Sequence, residues 1–181
     1  MQRLLKQALG EQVLSPQQIA QGVSKVAQQL NQAYQSAVII SVVPGGILFT
    51  ADLVRQLEFN IEMDYISCPH TPGDNNNQSA IVYHQNIDIR GKDVILVDDA
   101  LESGSTMKRL LQHFEQLNIA RSLAVATLLV KPGRVDLAAA QYFAYELAAD
   151  AMIVGYGLPL EDRYRHLNAI FKAPKESLDN T

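Results

Sequence analysis

The sequence predicts an α/β protein in which helices cover both faces of a parallel sheet. Three apolar segments, at residues 37–43, 94–97 and 122–130, lack the polar alternation of a strand that faces water on one side. Helical segments separate them along the chain, which is the order expected when parallel strands are joined by crossovers. Ligands of such sheets bind beyond the carboxyl ends of the strands, so the residues that follow each strand are the candidates for function.

Composition excludes several classes of protein before any motif is considered. The chain has 181 residues, of which 48% are hydrophobic and 19% charged, with a net charge of −4. These values predict one folded domain over residues 1–181, and the scattered basic residues argue against nucleic-acid binding. The single cysteine excludes an internal disulfide, and no apolar run is long enough to span a membrane. We therefore expect a cytoplasmic protein with no nucleic-acid or membrane partner.

The first elements are predicted to be helices. Ser15-Pro16-Gln17-Gln18 has the pattern of a capping box with proline at the first helical position. Apolar residues then recur at helical spacing, at Ile19, Val23, Val26 and Leu30. This pattern predicts an amphipathic helix over residues 16–34, and a shorter helix over residues 2–9 is expected to end at Gly10.

The later elements follow from the same reading of apolar periodicity. Pro44-Gly45-Gly46 ends the first apolar strand, and a helix is expected after it because Phe49, Leu53 and Leu57 are spaced four apart. A long loop is predicted over residues 68–79, which hold two prolines, a glycine and three consecutive asparagines. The remaining assignments are strands at residues 61–66, 80–83 and 152–154 and a helix at residues 107–117.

The most informative stretch runs from Val94 to Thr106. A buried strand ends in two acids, Asp98 and Asp99, and a loop of small and hydroxyl residues then opens a helix. Backbone N–H groups at a helix start, together with loop hydroxyls, form a cradle for a phosphate dianion. Two adjacent carboxylates can hold sugar hydroxyls or a hard cation such as Mg²⁺. A ribose phosphate would satisfy both halves of this pattern.

A different reading of the two acids stays open at this point. Paired aspartates after a strand also occur in phosphoacceptor regulatory domains, in which Asp98 or Asp99 would carry the phosphoryl group. That reading leaves the hydroxyl-rich residues 103–106 without a role.

The stretch Val94–Thr106 resembles the signature of the phosphoribosyltransferases that use phosphoribosyl pyrophosphate. The signature reads four apolar residues, two acids, two apolar residues, an acid, a hydroxyl residue, glycine, any residue and a hydroxyl residue, and every position fits. Three further segments resemble the hypoxanthine-guanine branch of that family: residues 42–53, 128–131, and the block formed by 154–158 and 164–168. The resemblance covers roughly residues 37–171. It implies a type I phosphoribosyltransferase fold, with a small hood from residues 1–15 and roughly 132–181.

The resemblance also implies how phosphoribosyl pyrophosphate is bound. Asp98 and Asp99 would contact the ribose hydroxyls, directly or through Mg²⁺. The 5′-phosphate would be held by Glu102, Ser103, Gly104, Ser105 and Thr106. The pyrophosphate group would be held by Pro44, Gly45, Gly46 and Arg165. Arginine suits this role because its guanidinium binds phosphate oxygens in a bidentate fork.

The purine would lie beside three further residues and one of those already named. Lys131 would donate to the 6-oxo group, Met152 would cover the ring face and Ile153 would offer its backbone to the base edge. Glu102 would be the catalytic residue, placed near N7 of the base as a proton acceptor.

Several positions depart from the family pattern. Glu102 stands where aspartate is more common, Met152 where an aromatic ring is common, and Pro159 where an aspartate commonly helps to ligate a second Mg²⁺. The Ser-Tyr pair of the family's mobile flap is not visible between residues 68 and 79.

Pro44 fills a position whose preceding peptide bond can be cis in relatives. Because cis bonds are far easier before proline than before other residues, we predict a cis Val43–Pro44 bond.

Taken together, the sequence predicts a purine salvage enzyme. It would transfer phosphoribose to hypoxanthine or guanine, giving the nucleoside monophosphate and pyrophosphate, with Mg²⁺ as cofactor and a homodimer or homotetramer as the assembly. The alternatives are a transferase for xanthine or another base, and a regulator of the same fold that senses phosphoribosyl pyrophosphate.

Overall fold

The computed structural model describes residues 9–68, 80–117, 119–131, 136–147 and 152–174. Within these ranges the helices are α1 (Pro16–Ala33), α2 (Ile47–Val54) and α3 (Ser105–Leu117). The strands are β1 (Gln12–Leu14), β2 (Ser36–Val43), β3 (Asn60–Ser67), β4 (Asp93–Leu101), β5 (Ser122–Val130), β6 (Ala140–Glu146), β7 (Ile153–Val154) and β8 (Ile170–Lys172). The helix predicted over residues 2–9 and the loop predicted over residues 68–79 fall almost entirely outside the described residues.

Five strands form the main sheet, in the order β3-β2-β4-β5-β6. Every neighbouring pair in this sheet is parallel, which confirms the predicted sheet type. The strand order places β2 beside β4, and Ile39 pairs with Ile95. The carboxyl ends of these two strands therefore meet at the same edge of the sheet, which is where a ligand is expected.

Helices cover the main sheet on both faces, and alternate residues of each strand point to one face or the other. On one face α1 and α2 pack over Ile39, Ile95 and Ala124. On the other face α3 packs over Ile40, Leu96 and their neighbours. Because both faces are buried, the central strands are continuously apolar and not alternating.

A second, three-stranded antiparallel sheet has the order β1-β8-β7. It joins the described beginning of the chain to its described end, since Gly10 N donates to Lys172 O at 3.0 Å. Among the described residues, no helix is long and apolar enough to cross a membrane.

β6 requires a correction to the predicted hood. The predicted hood includes roughly residues 132–181, but β6 pairs with β5 as an edge strand of the main sheet. The reason is its packing against α1: Lys25 Nζ donates to Ala144 O at 2.7 Å, and Tyr145 Oη donates to Gln18 O at 2.7 Å. The three-stranded sheet takes its last two strands from residues beyond β6.

Most other boundaries agree with the predictions to within a few residues. The capping box is confirmed, because Gln18 N donates to Ser15 Oγ at 3.2 Å and Ser15 N donates to Gln18 Oε1 at 2.9 Å. β5 has the predicted bounds. The strand predicted at residues 80–83 is wrong, since it is reduced to one antiparallel bridge between Ser67 and Val82.

Candidate active site

The loop after β2 and the acids of β4 lie against one another. A side-chain carbon added at Gly45 would lie 2.9 Å from Asp99 Oδ2 and 3.2 Å from Asp98 Oδ1. One added at Gly46 would lie 2.6 Å from Val97 O, closer than real contacts allow. Only glycine permits this approach, so the Gly45–Gly46 backbone packs directly onto the acid-bearing end of β4.

The peptide bond that leads into this loop is cis. The bond joins Val43 to Pro44, which confirms the prediction from the sequence. Pro44 itself is exposed, and the loop passes at once into α2, where Thr50 N donates to Gly46 O at 2.8 Å.

The two acids form an electrostatically strained pair. Asp99 is buried and Asp98 is half-buried. Burial and the neighbouring Asp99 charge raise the pKa of the Asp98 carboxyl well above its usual value, and burial raises the pKa of Asp99 to about 6. The Arg165 guanidinium opposes both shifts without cancelling them. A cation placed here would therefore relieve uncompensated negative charge.

A segment that we name the C-terminal arm, residues 155–167, closes over this surface. A side-chain carbon added at Gly157 would lie 2.3 Å from Gly45 O and 2.9 Å from Asp99 Oδ2. Arg165 Nη1 donates to Gly157 O at 2.7 Å, and Gly157 N donates to Arg165 O at 2.9 Å. Gly157 thus connects Arg165 to both the glycine loop and the acid pair.

The C-terminal arm has an unusual backbone. Four of its residues other than glycine have positive φ: Tyr156 (50°), Glu161 (48°), Asp162 (58°) and Tyr164 (67°). Such conformations are uncommon for residues with a side chain and concentrate at functional sites. An open cavity of about 440 Å³ is lined by residues 162–166, which include Arg165. The arm therefore presents its arginine to an accessible space.

The predicted phosphate loop has the expected position between β4 and α3. Gly104 has a φ of 71°, and Ser105 begins α3, two residues earlier than predicted. Ser103 Oγ lies 3.0 Å from Ser105 Oγ and accepts a long bond from Ser105 N at 3.4 Å. Thr106 is half-buried in the first turn of α3. Helix N–H groups and hydroxyls are thus gathered at one point, as an anion site requires.

Lys131 and Glu102 face each other across the ends of β5 and β4. Lys131 Nζ lies 3.5 Å from Glu102 Oε2, and Lys131 N donates to Leu101 O at 3.0 Å. Both side chains are partly exposed, at 33% and 52%. A pair this exposed contributes about 0–1 kcal/mol, so an incoming ligand can separate it at little cost.

The two other residues predicted to contact the base, Met152 and Ile153, lie just before and at the start of β7. Met152 is 49% exposed and its carbonyl accepts from Ala173 N, while Ile153 is buried in β7. Their contacts to a purine stay a prediction. Pro159 is half-buried and brings no carboxylate to the arm.

Two features of the site were not singled out from the sequence. One is the packing of Gly157 on Gly45 and Asp99, and the other is the hydrogen bond from Tyr156 Oη to Asp52 Oδ2 at 2.6 Å. The only signal in the sequence is the Gly-Tyr-Gly order at residues 155–157, which indicates an irregular backbone without saying what it contacts.

Comparison with known proteins bears directly on this arrangement. Residues 10–158 match the family described as phosphoribosyl transferase domain. The chain belongs to the phosphoribosyltransferase family. Within that family it is similar to the hypoxanthine-guanine phosphoribosyltransferase of Streptococcus pneumoniae, at 30% identity over 98% of this chain and 100% of the relative. It is also 30% identical to the hypoxanthine phosphoribosyltransferase of Escherichia coli, over 89% of this chain and 94% of the relative.

Solved structures of phosphoribosyltransferases have the same fold. A hypoxanthine phosphoribosyltransferase from Staphylococcus aureus superposes with a TM-score of 0.84 at 27% identity, covering 98% of each chain. A hypoxanthine-guanine phosphoribosyltransferase from Bacillus anthracis gives a TM-score of 0.79 at 31% identity, covering 91% of this chain and 98% of the other. These matches confirm the predicted type I phosphoribosyltransferase fold and place this chain in the hypoxanthine-guanine branch.

Proposed function

We propose that this protein transfers the phosphoribosyl group of phosphoribosyl pyrophosphate to N9 of hypoxanthine or guanine. The observation that carries the proposal is the meeting of three elements at one edge of the sheet. The Gly45–Gly46 loop, the Asp98–Asp99 pair and the Gly157–Arg165 connection are in mutual contact. Beside them stands Lys131, which pairs with Glu102. This set provides donors for an anion, carboxylates for sugar hydroxyls, and one donor and one acceptor for a base.

The reaction needs no nucleophilic side chain. The C1′–oxygen bond to pyrophosphate breaks, and pyrophosphate leaves with the bonding electrons while N9 forms the new bond to C1′. Charge that develops on the leaving group would be stabilised by the Arg165 guanidinium and by N–H groups of the Gly45–Gly46 loop. The 5′-phosphate, held at the start of α3, would fix the ribose so that C1′ meets N9.

The base end would be handled by the Lys131–Glu102 pair. Lys131 would donate to the 6-oxo group of the purine, and Glu102 would accept the proton that the base loses as N9 becomes bonded. The two groups already lie within 3.5 Å of each other, so a purine edge that offers an acceptor beside an N–H can replace their mutual contact. This complementarity favours a 6-oxopurine over a 6-aminopurine such as adenine, whose exocyclic amino group would meet Lys131 as a second donor.

We propose Mg²⁺ as the cofactor, held by Asp98 and Asp99. The fit is supported by the raised pKa values of these two carboxyls: burial raises both, and the Asp99 charge raises the pKa of Asp98 further, so a cation would stabilise the ionised pair. Mg²⁺ commonly takes one or two carboxylates and completes its shell with water and substrate phosphates. When bound it would supply neutralising charge to the pyrophosphate group.

The experiment that tests the function is a spectrophotometric panel. The purified chain is incubated with phosphoribosyl pyrophosphate, Mg²⁺ and, in turn, hypoxanthine, guanine, xanthine, adenine and uracil. Turnover of hypoxanthine or guanine supports the proposal, and exclusive turnover of xanthine or another base would replace it with that substrate. Binding of phosphoribosyl pyrophosphate by calorimetry without turnover of any base would favour a sensing role.

Thr106→Leu is expected to weaken the 5′-phosphate site selectively. The larger apolar side chain removes a hydroxyl and intrudes at the first turn of α3, so we expect KM for phosphoribosyl pyrophosphate to rise at least about tenfold. KM for the purine should change by less than about twofold, because the purine is a separate substrate that binds beside C1′, away from the 5′-phosphate. Thr106→Ser, which keeps the hydroxyl, is the control. Equal effects on both KM values would contradict the assignment.

Lys131→Ala is expected to remove the donor to the 6-oxo group. Hydrogen bonds to charged groups contribute about 1.5–3 kcal/mol, so kcat/KM for hypoxanthine and guanine should fall by about 10- to 100-fold. Lys92→Ala is the matched control, because Lys92 also pairs with a glutamate, Glu62, but at the amino ends of the strands. If Lys131→Ala keeps the parent kcat/KM, Lys131 is only the solvated end of β5.

A further inference from the structure

A buried hydrogen bond connects the C-terminal arm to helix α2. Tyr156 is 6% exposed, and its hydroxyl donates to Asp52 Oδ2 at 2.6 Å. The ring packs in the core cluster shared by α1, α2 and the main sheet. Burial and the Asp52 carboxylate raise the pKa of the Tyr156 phenol, so the hydroxyl keeps its proton and acts as a donor at physiological pH.

The acceptor of this bond, Asp52, lies on α2, the helix that directly follows the Gly45–Gly46 loop. α2 begins directly after Gly46, and Thr50 N donates to Gly46 O at 2.8 Å. The same threonine is fixed to β2, because its Oγ1 lies 2.9 Å from Ser41 Oγ in a buried contact. The position of Asp52 is therefore coupled rigidly to that of the loop.

On the Tyr156 side, the bond ends one residue before Gly157. Tyr156 N donates to Leu167 O at 3.0 Å, and Gly157 exchanges hydrogen bonds with Arg165. Tyr156 also has a φ of 50°, which a residue with a side chain adopts only where its surroundings hold it. The position of the Tyr156 ring is therefore coupled to that of the Arg165 guanidinium.

We propose that the Tyr156–Asp52 hydrogen bond is a positioning contact for pyrophosphate. It fixes the separation between the Gly45–Gly46 loop and Arg165, so that donors from both sides reach the same anion. The inference rests on the proposed function, since it assumes that the site binds pyrophosphate or its phosphoribosyl ester. Neither Tyr156 nor Asp52 touches the ligand in this proposal, and both act through the groups they hold.

The direct test is Tyr156→Phe, which keeps the ring and removes the hydroxyl. We expect KM for phosphoribosyl pyrophosphate and the inhibition constant for pyrophosphate each to rise about tenfold, with KM for hypoxanthine changed by less than about twofold. Calorimetric Kd for pyrophosphate in the presence of Mg²⁺ should rise by the same factor. Tyr145→Phe is the matched control, since its hydroxyl donates to Gln18 O on α1 at 2.7 Å.

Variants of the acceptor complete the test and guard against a variant that does not fold. Asp52→Ala should reproduce the effect of Tyr156→Phe, whereas Asp52→Asn keeps a carbonyl acceptor and should remain close to the parent protein. The double variant with Tyr156→Phe and Asp52→Ala should be no weaker than either single variant, because the two residues act through one bond. If the bond only stabilised the fold, Tyr156→Phe and Asp52→Ala would lower the melting temperature. The ratio of KM for phosphoribosyl pyrophosphate to KM for hypoxanthine would then stay unchanged.

The outcomes separate this inference from the proposed function. If the parent protein neither binds phosphoribosyl pyrophosphate nor turns over a purine, the proposed function fails and the inference falls with it. If the parent protein binds and reacts but Tyr156→Phe and Asp52→Ala match the Tyr145→Phe control, only the positioning role is overturned.

Discussion

Gly157→Ala is expected to abolish most of the activity of this protein, lowering kcat/KM by at least about 100-fold. The added carbon would lie 2.3 Å from Gly45 O and 2.9 Å from Asp99 Oδ2, and neither atom can move without displacing the loop or the acid pair. Its φ of 98° is also a conformation that alanine rarely adopts. Steady-state kinetics and the melting temperature are the measurements.

Gly91→Ala serves as the control that separates steric overlap from the strain of a positive φ, the two causes of the loss of activity expected for Gly157→Ala. Gly91 also has a positive φ, 67°, but a side-chain carbon there would meet no atom within 4 Å. The backbone strain alone should cost about 1–2 kcal/mol of stability and leave kcat/KM unchanged. A Gly157→Ala variant with the activity of Gly91→Ala would show that the arm does not pack on the loop as described.

Asp64→Ala is expected to lower the free energy of unfolding by about 3 kcal/mol, without a direct effect on the chemistry. Asp64 is a buried carboxylate on β3. It accepts five hydrogen bonds, from Tyr65 N, Tyr83 Oη, Asn86 N, Asn86 Nδ2 and Ile87 N. The substitution removes the acceptor that these donors share, although Asn86 Nδ2 keeps its bond to His84 O, and it releases the segment that leads toward β4. Urea denaturation at pH 7 is the measurement.

The stabilisation by Asp64 is expected to weaken in acid. Burial alone would raise the pKa of this carboxyl, but the bonds from Asn86, Tyr65 and Ile87 together lower it below the usual value. A lowered folded-state pKa stabilises the fold fully above the unfolded value of about 3.9, and the stabilisation is lost as the pH falls through the folded value. The difference between the parent protein and Asp64→Ala should therefore narrow below about pH 4.

Asp88→Ala is the control for Asp64→Ala, because Asp88 is a carboxylate that is not buried. Asp88 is exposed and bonds only to Arg90 among the contacts described, through the backbone N–H and Nε. Its removal should leave the free energy of unfolding almost unchanged, because ion pairs exposed to water contribute little to stability. Equal losses for Asp64→Ala and Asp88→Ala would contradict the central role given to Asp64.

The main sheet could be predicted because its inner strands have a local signature. β2 and β5 are mainly apolar, and their bounds agree closely with those read from the sequence, whereas β4 extends four residues past the predicted run 94–97 and includes Asp98 and Asp99. β6 has no such signature, because it is an edge strand whose position is set by packing against α1, more than a hundred residues earlier. β1 and β8 are three residues each, and a pairing between such distant short segments leaves no local pattern.

The candidate site likewise contains residues that could be predicted from the sequence and contacts that could not. Asp98 and Asp99 lie at the carboxyl end of β4, and the Gly45–Gly46 loop follows its neighbour β2, so their meeting could be predicted from the strand order. The contact of Gly157 with Gly45 could not, because it depends on how the C-terminal arm folds back through several positive-φ residues. Lys131 and Glu102 were each predicted to contact the base, but the sequence alone did not indicate that they would form an ion pair with each other.

The three-stranded sheet has a consequence for the order in which the newly made chain becomes competent. β1 and β7 both pair with β8, so residues 12–14 have no strand partner until residues 170–172 have left the ribosome. At about 5–20 residues per second, that wait is on the order of ten seconds. The five strands of the main sheet precede β7 in the chain and can assemble during this time. Affinity for the anionic substrate, which needs the arm between β7 and β8, therefore arises late in synthesis, after the nascent protein has already formed most of its core.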